Sequence, residues 1–308
     1  MGNVNLCKRM LEKGANINQK GKNGFMPLDC CFLQDNSGNP DEKREFAVEK
    51  MYNFLIEHNA ELSTNTLKNA RNGLSNDGYT RYNIIQKIVK QLVRSGKKTN
   101  LDSMMEAIVL GDNQKFQLLI KKVNKMDEKC LFFSAAFGSQ ESLNLILKKG
   151  MDVTEEDGDN NNLLTIAAKS GNVDVLKYLM PKFNLSGDDG YRALLAAISN
   201  NQSETSTILM KNKAKIASNT TDTLEGDMLS LACMNGNLGI VKLLVNNGYP
   251  KDGYNQALQM AAQYNRVEIL RYLIRVKFDV NSSFNEETPL GTASFWGNID
   301  CVKLLGNR

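Results

Sequence analysis

The chain has 308 residues, is 42% hydrophobic and 23% charged, and carries a formal net charge of +4. This balance is ordinary for a folded chain, and the charge is too small to predict nucleic-acid binding by itself. No apolar run approaches the ~18 residues that a membrane-spanning helix needs, so we expect no membrane span.

Six cysteines are scattered along the chain, and none belongs to a C-x-x-C pair. Most of them fall among the apolar positions of predicted helices, where a free thiol packs as a small hydrophobic group. A disulfide framework is therefore not expected. The cysteines predict a reducing compartment, and we expect a cytoplasmic protein.

The N-terminal third predicts helices that are interrupted by two insertions. Apolar residues between Val4 and Leu11 recur at helical spacing and predict a helix that Gly14 ends in the left-handed conformation. Polar runs rich in Asn, Gly and Ser predict insertions near 35–47 and 72–81. The sequence therefore predicts a first unit that lacks the first of its two helices, followed by two irregular units.

One pattern recurs at a spacing of roughly 30 residues and is clearest over 127–308. It consists of a short helix of small and apolar residues, a break, and a second helix with Ile, Val and Leu at helical spacing. The break reads Gly171-Asn172, Gly236-Asn237 and Gly297-Asn298 in three copies. Self-similarity at this period is the mark of stacked helical units, and about ten of them fill the chain, 1–308, as a single domain.

The last copy opens with Thr-Pro-Leu-Gly-Thr-Ala at 288–293. This resembles the T-P-L-H-x-A opening of the ankyrin repeat, with Gly291 at the His position. The resemblance implies an all-α, ankyrin-repeat solenoid of helix-turn-helix units with short β-turn fingers. Thin inner helices and thicker outer ones would curve the stack and leave a concave groove.

The His of the family motif is replaced wherever the motif can be aligned. The resemblance implies that the replacements lose the side-chain hydrogen bonding that His gives the fingers. The replacing residues are Asp29, Thr165, Ser230, Gln259 and Gly291.

Residues suited to catalysis are scarce. His58 is the only histidine, so a zinc site of ordinary ligand spacing cannot be assembled locally. The recurring glycines end inner helices and form no phosphate-binding loop. Acidic clusters such as 155–157 fall at predicted fingertips, where water prevents the pKa shifts that acid–base catalysis needs. We expect no enzyme activity, no cofactor and no metal.

Side chains ahead of the break and at the fingers are expected to face the groove. Several are large and aromatic, as at protein-binding hot spots, and the competing interpretation is that they pack on neighbouring helices. The predicted partner-binding residues are Phe137, Asn161, Lys169, Tyr191, Met234, Tyr254, Tyr264, Phe295 and Trp296.

The resemblance implies a non-catalytic module that binds another protein through the groove. Divergent, Lys- and Asn-rich arrays of this kind resemble those of intracellular microbes and large viruses. A cytoplasmic scaffold and a secreted effector acting in host cytosol both stay open. The alternative is an acidic ligand, meaning an anionic lipid, a nucleic acid or an acidic protein, bound along the Lys-rich ends of the outer helices.

Overall fold

The computed structural model describes residues 4–32, 42–72, 82–216, 227–250 and 254–306. The chain divides into an N-terminal unit, Met1–Leu163, and a C-terminal unit, Leu164–Arg308. Regular secondary structure in these described ranges is helical, as the sequence predicts, and comprises nineteen α-helices and one short 3-10 helix at Met180–Lys182. Two isolated β-bridges, Glu156 with Asn162 and Phe284 with Glu287, close finger turns.

The first helix stands alone and the others follow one another as nine pairs. The first nine helices are α1 (Val4–Glu12), α2 (Pro27–Cys30), α3 (Glu42–Glu57), α4 (Thr64–Asn72), α5 (Tyr82–Arg94), α6 (Ser103–Leu110), α7 (Asn113–Lys121), α8 (Glu128–Phe137) and α9 (Gln140–Leu147). The remaining helices are α10 (Leu163–Ser170), α11 (Val173–Leu179), α12 (Asp188–Ser199), α13 (Ser203–Lys211), α14 (Met228–Asn235), α15 (Leu238–Asn246), α16 (Tyr254–Gln263), α17 (Val267–Arg275), α18 (Pro289–Phe295) and α19 (Ile299–Gly306).

The C-terminal unit has two helix layers. The inner helices α12, α14, α16 and α18 pack in series, and so do the outer helices α11, α13, α15, α17 and α19. Inner helices bury small side chains such as Ala232 and Ala261, whereas outer helices bury Val241 and Leu270. The small side chains let inner helices approach closely, which is the layering that the sequence pattern predicts.

Capping side chains and residues in the left-handed conformation set where helices of the C-terminal unit begin and end. The Asp227 carboxylate accepts the Ser230 backbone N–H at the start of α14, and Gly236 ends that helix in the left-handed region at φ 79°. Asn201 and Asn265 adopt the same conformation at the ends of two other inner helices. Asn tolerates this region better than other side chains, so Gly is not needed at every break.

Gly138 ends the inner helix α8, as predicted for the recurring glycines, but it differs from them in conformation. Its backbone is extended, at φ −80° and ψ −179°, and is not left-handed. A Cβ atom there would lie 2.4 Å from the Ser142 hydroxyl oxygen and 2.7 Å from the Ser134 carbonyl oxygen. Close packing of two helices, and not a turn, is what requires glycine at this position.

The two predicted insertions fall partly outside the described residues, which exclude 33–41 and 73–81. Helix α3 begins at Glu42, inside the first predicted insertion, and α4 extends to Asn72, the first residue of the second. The polar run 218–222, for which the sequence predicts an extended finger, also lies outside the described residues.

The expectation that the His replacements lose hydrogen bonds is wrong at three positions. The Asp29 carboxylate accepts the Met26 backbone N–H at 2.9 Å, and the Ser230 hydroxyl donates to the Asp227 carboxylate at 2.6 Å. The Gln259 amide donates to the Glu287 carboxylate at 3.1 Å. Asp29 and Ser230 hold the turn before their own helices, whereas Gln259 of α16 bonds the finger that precedes α18.

Candidate protein-binding surface

Five side chains form a cluster on the finger side of the C-terminal unit, and we call it the tyrosine cluster: Tyr191, Asp227, Tyr249, Tyr254 and Phe278. Tyr249 is buried, and its hydroxyl donates a short hydrogen bond to the Asp227 carboxylate. The Tyr254 hydroxyl donates to the Tyr249 carbonyl oxygen at 3.1 Å. The Tyr254 ring stacks on Phe278, with 3.7 Å between centroids and 12° between planes.

The ends of three helices bring most of the tyrosine cluster together. Asp227 caps α14, Tyr254 is the first residue of α16, and Phe278 follows α17. Tyr191 lies in the first half of α12 and interacts electrostatically with Tyr249. The cluster therefore joins three consecutive helix pairs, and Tyr191 and Tyr254 stay half-exposed on it.

The electrostatics of the cluster keep its hydroxyl groups protonated. Burial raises the pKa of Tyr249, and the Asp227 carboxylate raises that pKa further. Burial, followed by the neighbouring Tyr272, also raises the pKa of Tyr254. Protonated phenols remain hydrogen-bond donors, so Tyr249 and Tyr254 present uncharged rings with fixed polar groups beside the Asp227 carboxylate.

Three more predicted residues lie at the ends of inner helices and reach solvent. Tyr264 follows α16 directly and is half-exposed. Phe295 and Trp296 end α18, with 82% and 41% of their surfaces exposed. Their rings meet edge to face at 5.4 Å.

Two predicted residues are placed inside the stack. Lys169 is 4% exposed and Met234 is 7% exposed. Both stand at the same place in the repeat as Phe295, two residues before the break, but they belong to interior helix pairs. A partner can reach little of either side chain.

The two predicted residues of the N-terminal unit are held by local contacts. Phe137 lies at the end of α8, and its half-buried ring contacts Tyr82 at 5.4 Å and Phe133 at 5.5 Å. Asn161 lies in a fingertip, where its side-chain amide donates to the Asp157 carboxylate at 3.1 and 3.2 Å. Both side chains have structural roles that compete with partner contact.

Sequence reasoning missed Asp227, Tyr249 and Phe278. Asp227 could have been found, because it stands where the ankyrin-like motif has its first Thr. Tyr249 directly follows Gly248, which ends an outer helix with φ 77°. Its contact with Asp227, 22 residues away, carries no signal in a single sequence.

Across the described ranges, no group of three or more His, Cys, Asp or Glu side chains could hold an ion. All six cysteines are free thiols, as predicted. No described helix combines the length and apolar character needed to cross a membrane.

Comparison with known proteins identifies relatives along much of the chain. A family model described as ankyrin repeats in three copies matches 152–220 and 229–308, and one described as ankyrin repeats in many copies matches 107–180. An ankyrin repeat protein of fowlpox virus is 32% identical over 163 residues, which cover 48% of this chain and 47% of the viral protein. The ankyrin repeat protein nuc-2 of Neurospora crassa is 25% identical over 240 residues, covering 74% of this chain and 22% of nuc-2.

The chain thus spans about half or less of the length of these curated relatives. Among solved structures, the human ASB11 ankyrin repeat domain superposes with a TM-score of 0.51 at 21% identity, covering 57% of this chain and 82% of that domain. At this identity the likeness concerns the fold alone. Taken with the helix pairs and finger turns described above, these matches show that the chain belongs to the ankyrin-repeat family.

Proposed function

We propose that this chain is a non-catalytic protein-recognition module whose partner contacts the finger side of the C-terminal unit. Ankyrin repeats generally mediate protein–protein interaction and are typically non-catalytic. The observation that carries the proposal is the tyrosine cluster, in which the hydrogen bond from buried Tyr249 to half-buried Asp227 supports two partly exposed tyrosines. A partly exposed aromatic surface of this kind suits protein contact.

The cluster is suited to binding because its rings are already fixed. Tyr254 is held by a stacked ring on one side and by a hydrogen bond from its hydroxyl. A side chain that is already immobile loses little rotamer entropy when a partner binds. Tyrosine also presents a large apolar ring together with a polar group, which explains its frequency at binding hot spots.

The partner surface that we propose extends from the cluster to the exposed inner-helix ends. Partly exposed Tyr191, Tyr254 and Tyr264 contribute, together with the more exposed Phe295 and Trp296. Buried Lys169 and Met234 contribute through the shape of the stack. Phe137 and Asn161 lie in the N-terminal unit. They contribute if the same partner also contacts the fingers and inner-helix ends of that unit.

The biological setting that we propose is a cytoplasmic scaffold or an effector delivered into a host cell. Similarity to a fowlpox virus protein supports the effector interpretation. Six free thiols support a reducing compartment, since such compartments keep thiols reduced. We further propose that the two units form one ankyrin array over 1–308.

A second candidate is an acidic ligand bound along the ends of outer helices in the N-terminal unit. Lys121 and Lys122 at the end of α7 and Lys148 after α9 are exposed, and α7 packs against α9. The neighbouring Lys149 ammonium is already used, since it donates to the Val123 carbonyl oxygen at 2.9 Å. Three exposed lysines on one edge make a weak anion site that salt would screen.

Affinity capture followed by mass spectrometry tests the proposal. The bait is the full chain, compared with the Tyr191→Ala/Tyr254→Ala double variant and with Leu118→Ala, which changes an exposed leucine on α7. We expect proteins captured by the unmodified chain and by Leu118→Ala to be lost from the double variant, with the helical circular dichroism unchanged.

Equal capture by all three baits would contradict the tyrosine cluster as the binding surface. The acidic-ligand candidate predicts a different result. Retention on heparin should fall at modest salt concentration and in the Lys121→Ala/Lys122→Ala variant. The tyrosine substitutions should leave that retention unchanged.

A further inference from the structure

Two lysines of the C-terminal unit hold a backbone conformation that lysine rarely adopts. Lys213 after α13 and Lys277 after α17 have φ values of 61° and 66°, in the left-handed region. A Cβ atom makes this region costly, and glycine avoids the cost. At the same place after α1, α3, α5, α9 and α15 stand Gly14, Asn59, Gly96, Gly150 and Gly248, all left-handed. Glycine should therefore stabilise the fold at both lysine positions.

Neither lysine makes a side-chain contact in the described ranges that would explain its conformation. Both side chains are exposed, and across the described residues neither ammonium group has a hydrogen bond, an ion pair or an aromatic ring as its partner. A cation near the end of a helix is favourable, but Lys211 of α13 and Arg275 of α17 already provide one from helical backbone. Backbone conformations that cost stability are typical of functional sites.

The two lysines flank the tyrosine cluster. Gly248 stands at the same place in the helix pair between them, directly before Tyr249 of the cluster, and Lys277 directly precedes Phe278, another of its members. The outer helices α13, α15 and α17 pack in series. Because packed helices lie roughly 8–10 Å apart, the two lysines are separated by about 16–20 Å, with Tyr249 between them.

The carboxylates of the cluster and of the loop after α17 are already used within the chain. Both oxygens of the Asp227 carboxylate accept hydrogen bonds from this chain's own donors. The Asp279 carboxylate accepts the Asn281 backbone N–H at 3.0 Å. The surface thus offers a cation on either side of a group of aromatic rings, and an exposed ammonium group attracts carboxylates.

We propose that Lys213 and Lys277 select an acidic protein segment, which lies across the tyrosine cluster and places carboxylates beside both ammonium groups. The inference rests on the proposed function and names the chemistry of its partner. Rings between two separated cations suit a segment in which apolar and acidic residues are mixed. A nucleic-acid duplex carries a phosphate every ~3.4 Å along each strand, and most of those phosphates would meet no cation on this surface.

Replacing both lysines by glycine tests the inference, because it should strengthen the fold and weaken binding. The full chain and its Lys213→Gly/Lys277→Gly variant are compared by thermal melting. We expect the melting temperature of the variant to rise by about 1–3 °C, since glycine relieves the left-handed conformation.

Binding is measured with a phage-displayed library of random peptides about 12 residues long, which can span both lysines at up to ~3.4 Å per residue. We expect the unmodified chain to select peptides rich in Asp and Glu. These peptides should bind the double glycine variant roughly 10-fold more weakly, and high salt should reduce that difference.

Lys13→Gly is the matched control, because it removes an exposed lysine at the end of α1 whose backbone is not left-handed. It should neither raise the melting temperature nor change peptide binding. A lower melting temperature for the double glycine variant would overturn the inference, as would equal peptide binding by that variant and the unmodified chain.

The same selection separates this inference from the proposed function. Selected peptides that lack acidic residues, yet fail to bind the Tyr191→Ala/Tyr254→Ala variant, would overturn the inference and leave the proposed function intact. Selection of no peptide at all, or of peptides that bind the tyrosine variant equally well, would contradict both.

Discussion

The α2–α4 junction of the N-terminal unit and the inner-helix junctions of the C-terminal unit differ in how hydrogen bonds join consecutive helix pairs. In the N-terminal unit, several bonds converge on Asp29 of α2. Its buried carboxylate accepts the Met26 backbone N–H and the hydroxyl groups of Ser63 and Thr66 at the start of α4. The Asn69 amide donates to the Asp29 carbonyl oxygen at 3.2 Å. A single side chain thus ties α2 to α4.

In the C-terminal unit the same task is divided among several residues. At each step, a side chain of one helix pair donates to a carbonyl oxygen at the end of the preceding inner helix. The bonds run from Thr205 to Ala168, from Asn235 to Ile198 and Ser199, from Arg266 to Met234, and from Asn298 to Ala262 and Gln263. These carbonyl groups lie in the last turns of their helices, and those of Ala168, Ile198 and Ala262 also accept a backbone N–H from the following turn.

The comparison teaches that one fold can be held by concentrated or by distributed polar contacts. Loss of a single group in the distributed arrangement leaves the other steps intact. Loss of a shared buried group leaves several donors unsatisfied at once. The tyrosine cluster lies in the unit with distributed contacts, which suits a surface that must keep its shape.

The largest effect is expected for Asp29→Ala. Removing the carboxylate leaves the Met26 N–H and the Ser63 and Thr66 hydroxyls without their acceptor, which should cost about 3–5 kcal/mol of unfolding free energy. Urea denaturation measures the loss, and hydrogen exchange should place it in α2 and α4. Asp29→Asn keeps an acceptor oxygen and should lose less. An equal loss for both variants would mean that the carboxylate charge, and not its acceptor role, is what matters.

Alkaline pH should destabilise the N-terminal unit through Tyr52. Burial raises the pKa of Tyr52 to about 12. An unfolded tyrosine ionises near pH 10, so the stability from keeping Tyr52 neutral is present below about pH 10 and is lost between about pH 10 and 12. The full loss is about 2–3 kcal/mol, since one pKa unit corresponds to ~1.4 kcal/mol. Tyr52→Phe should show a smaller fall in melting temperature over that range. A parallel fall in both proteins would contradict this assignment.

A smaller loss is expected for Asn235→Ala in the C-terminal unit. The Asn235 amide donates to the Ile198 and Ser199 carbonyl oxygens at 2.8 and 3.2 Å. Removing one step of the series should cost about 1–2 kcal/mol and increase hydrogen exchange at the α12–α14 contact. A loss of unfolding free energy as large as that of Asp29→Ala would contradict the view that several hydrogen bonds share the stabilisation of the C-terminal unit.

The smallest effect is expected for Lys149→Ala. Its ammonium group bonds the Val123 carbonyl oxygen from an exposed position. Solvent competes for such a contact, so the change in unfolding free energy should stay within about 0.5 kcal/mol. Thermal melting beside Asn235→Ala provides the comparison. A change in unfolding free energy larger than that of Asn235→Ala would contradict the expectation that buried hydrogen bonds stabilise the fold more than exposed ones.

Sequence reasoning predicted the helix pairs of the C-terminal half and the place of each residue within its repeat. It could not predict burial, because burial depends on what stacks next. Met234 and Phe295 share one place in the repeat, yet only Met234 is covered. Phe137 was expected in a groove but contacts Tyr82 of α5, because α5 packs against α8 across the intervening pair. Such contacts between distant segments leave no trace in one sequence.

Photo-cross-linking tests the proposed recognition surface most directly. A benzoylphenylalanine residue is placed at position 191, beside Tyr249, or at position 118 on α7, and each protein is irradiated in cytoplasmic extract. The tyrosine cluster as a binding surface predicts a discrete covalent protein adduct from position 191 and none from position 118. The absence of an adduct at position 191, or the same adducts from both positions, would contradict it.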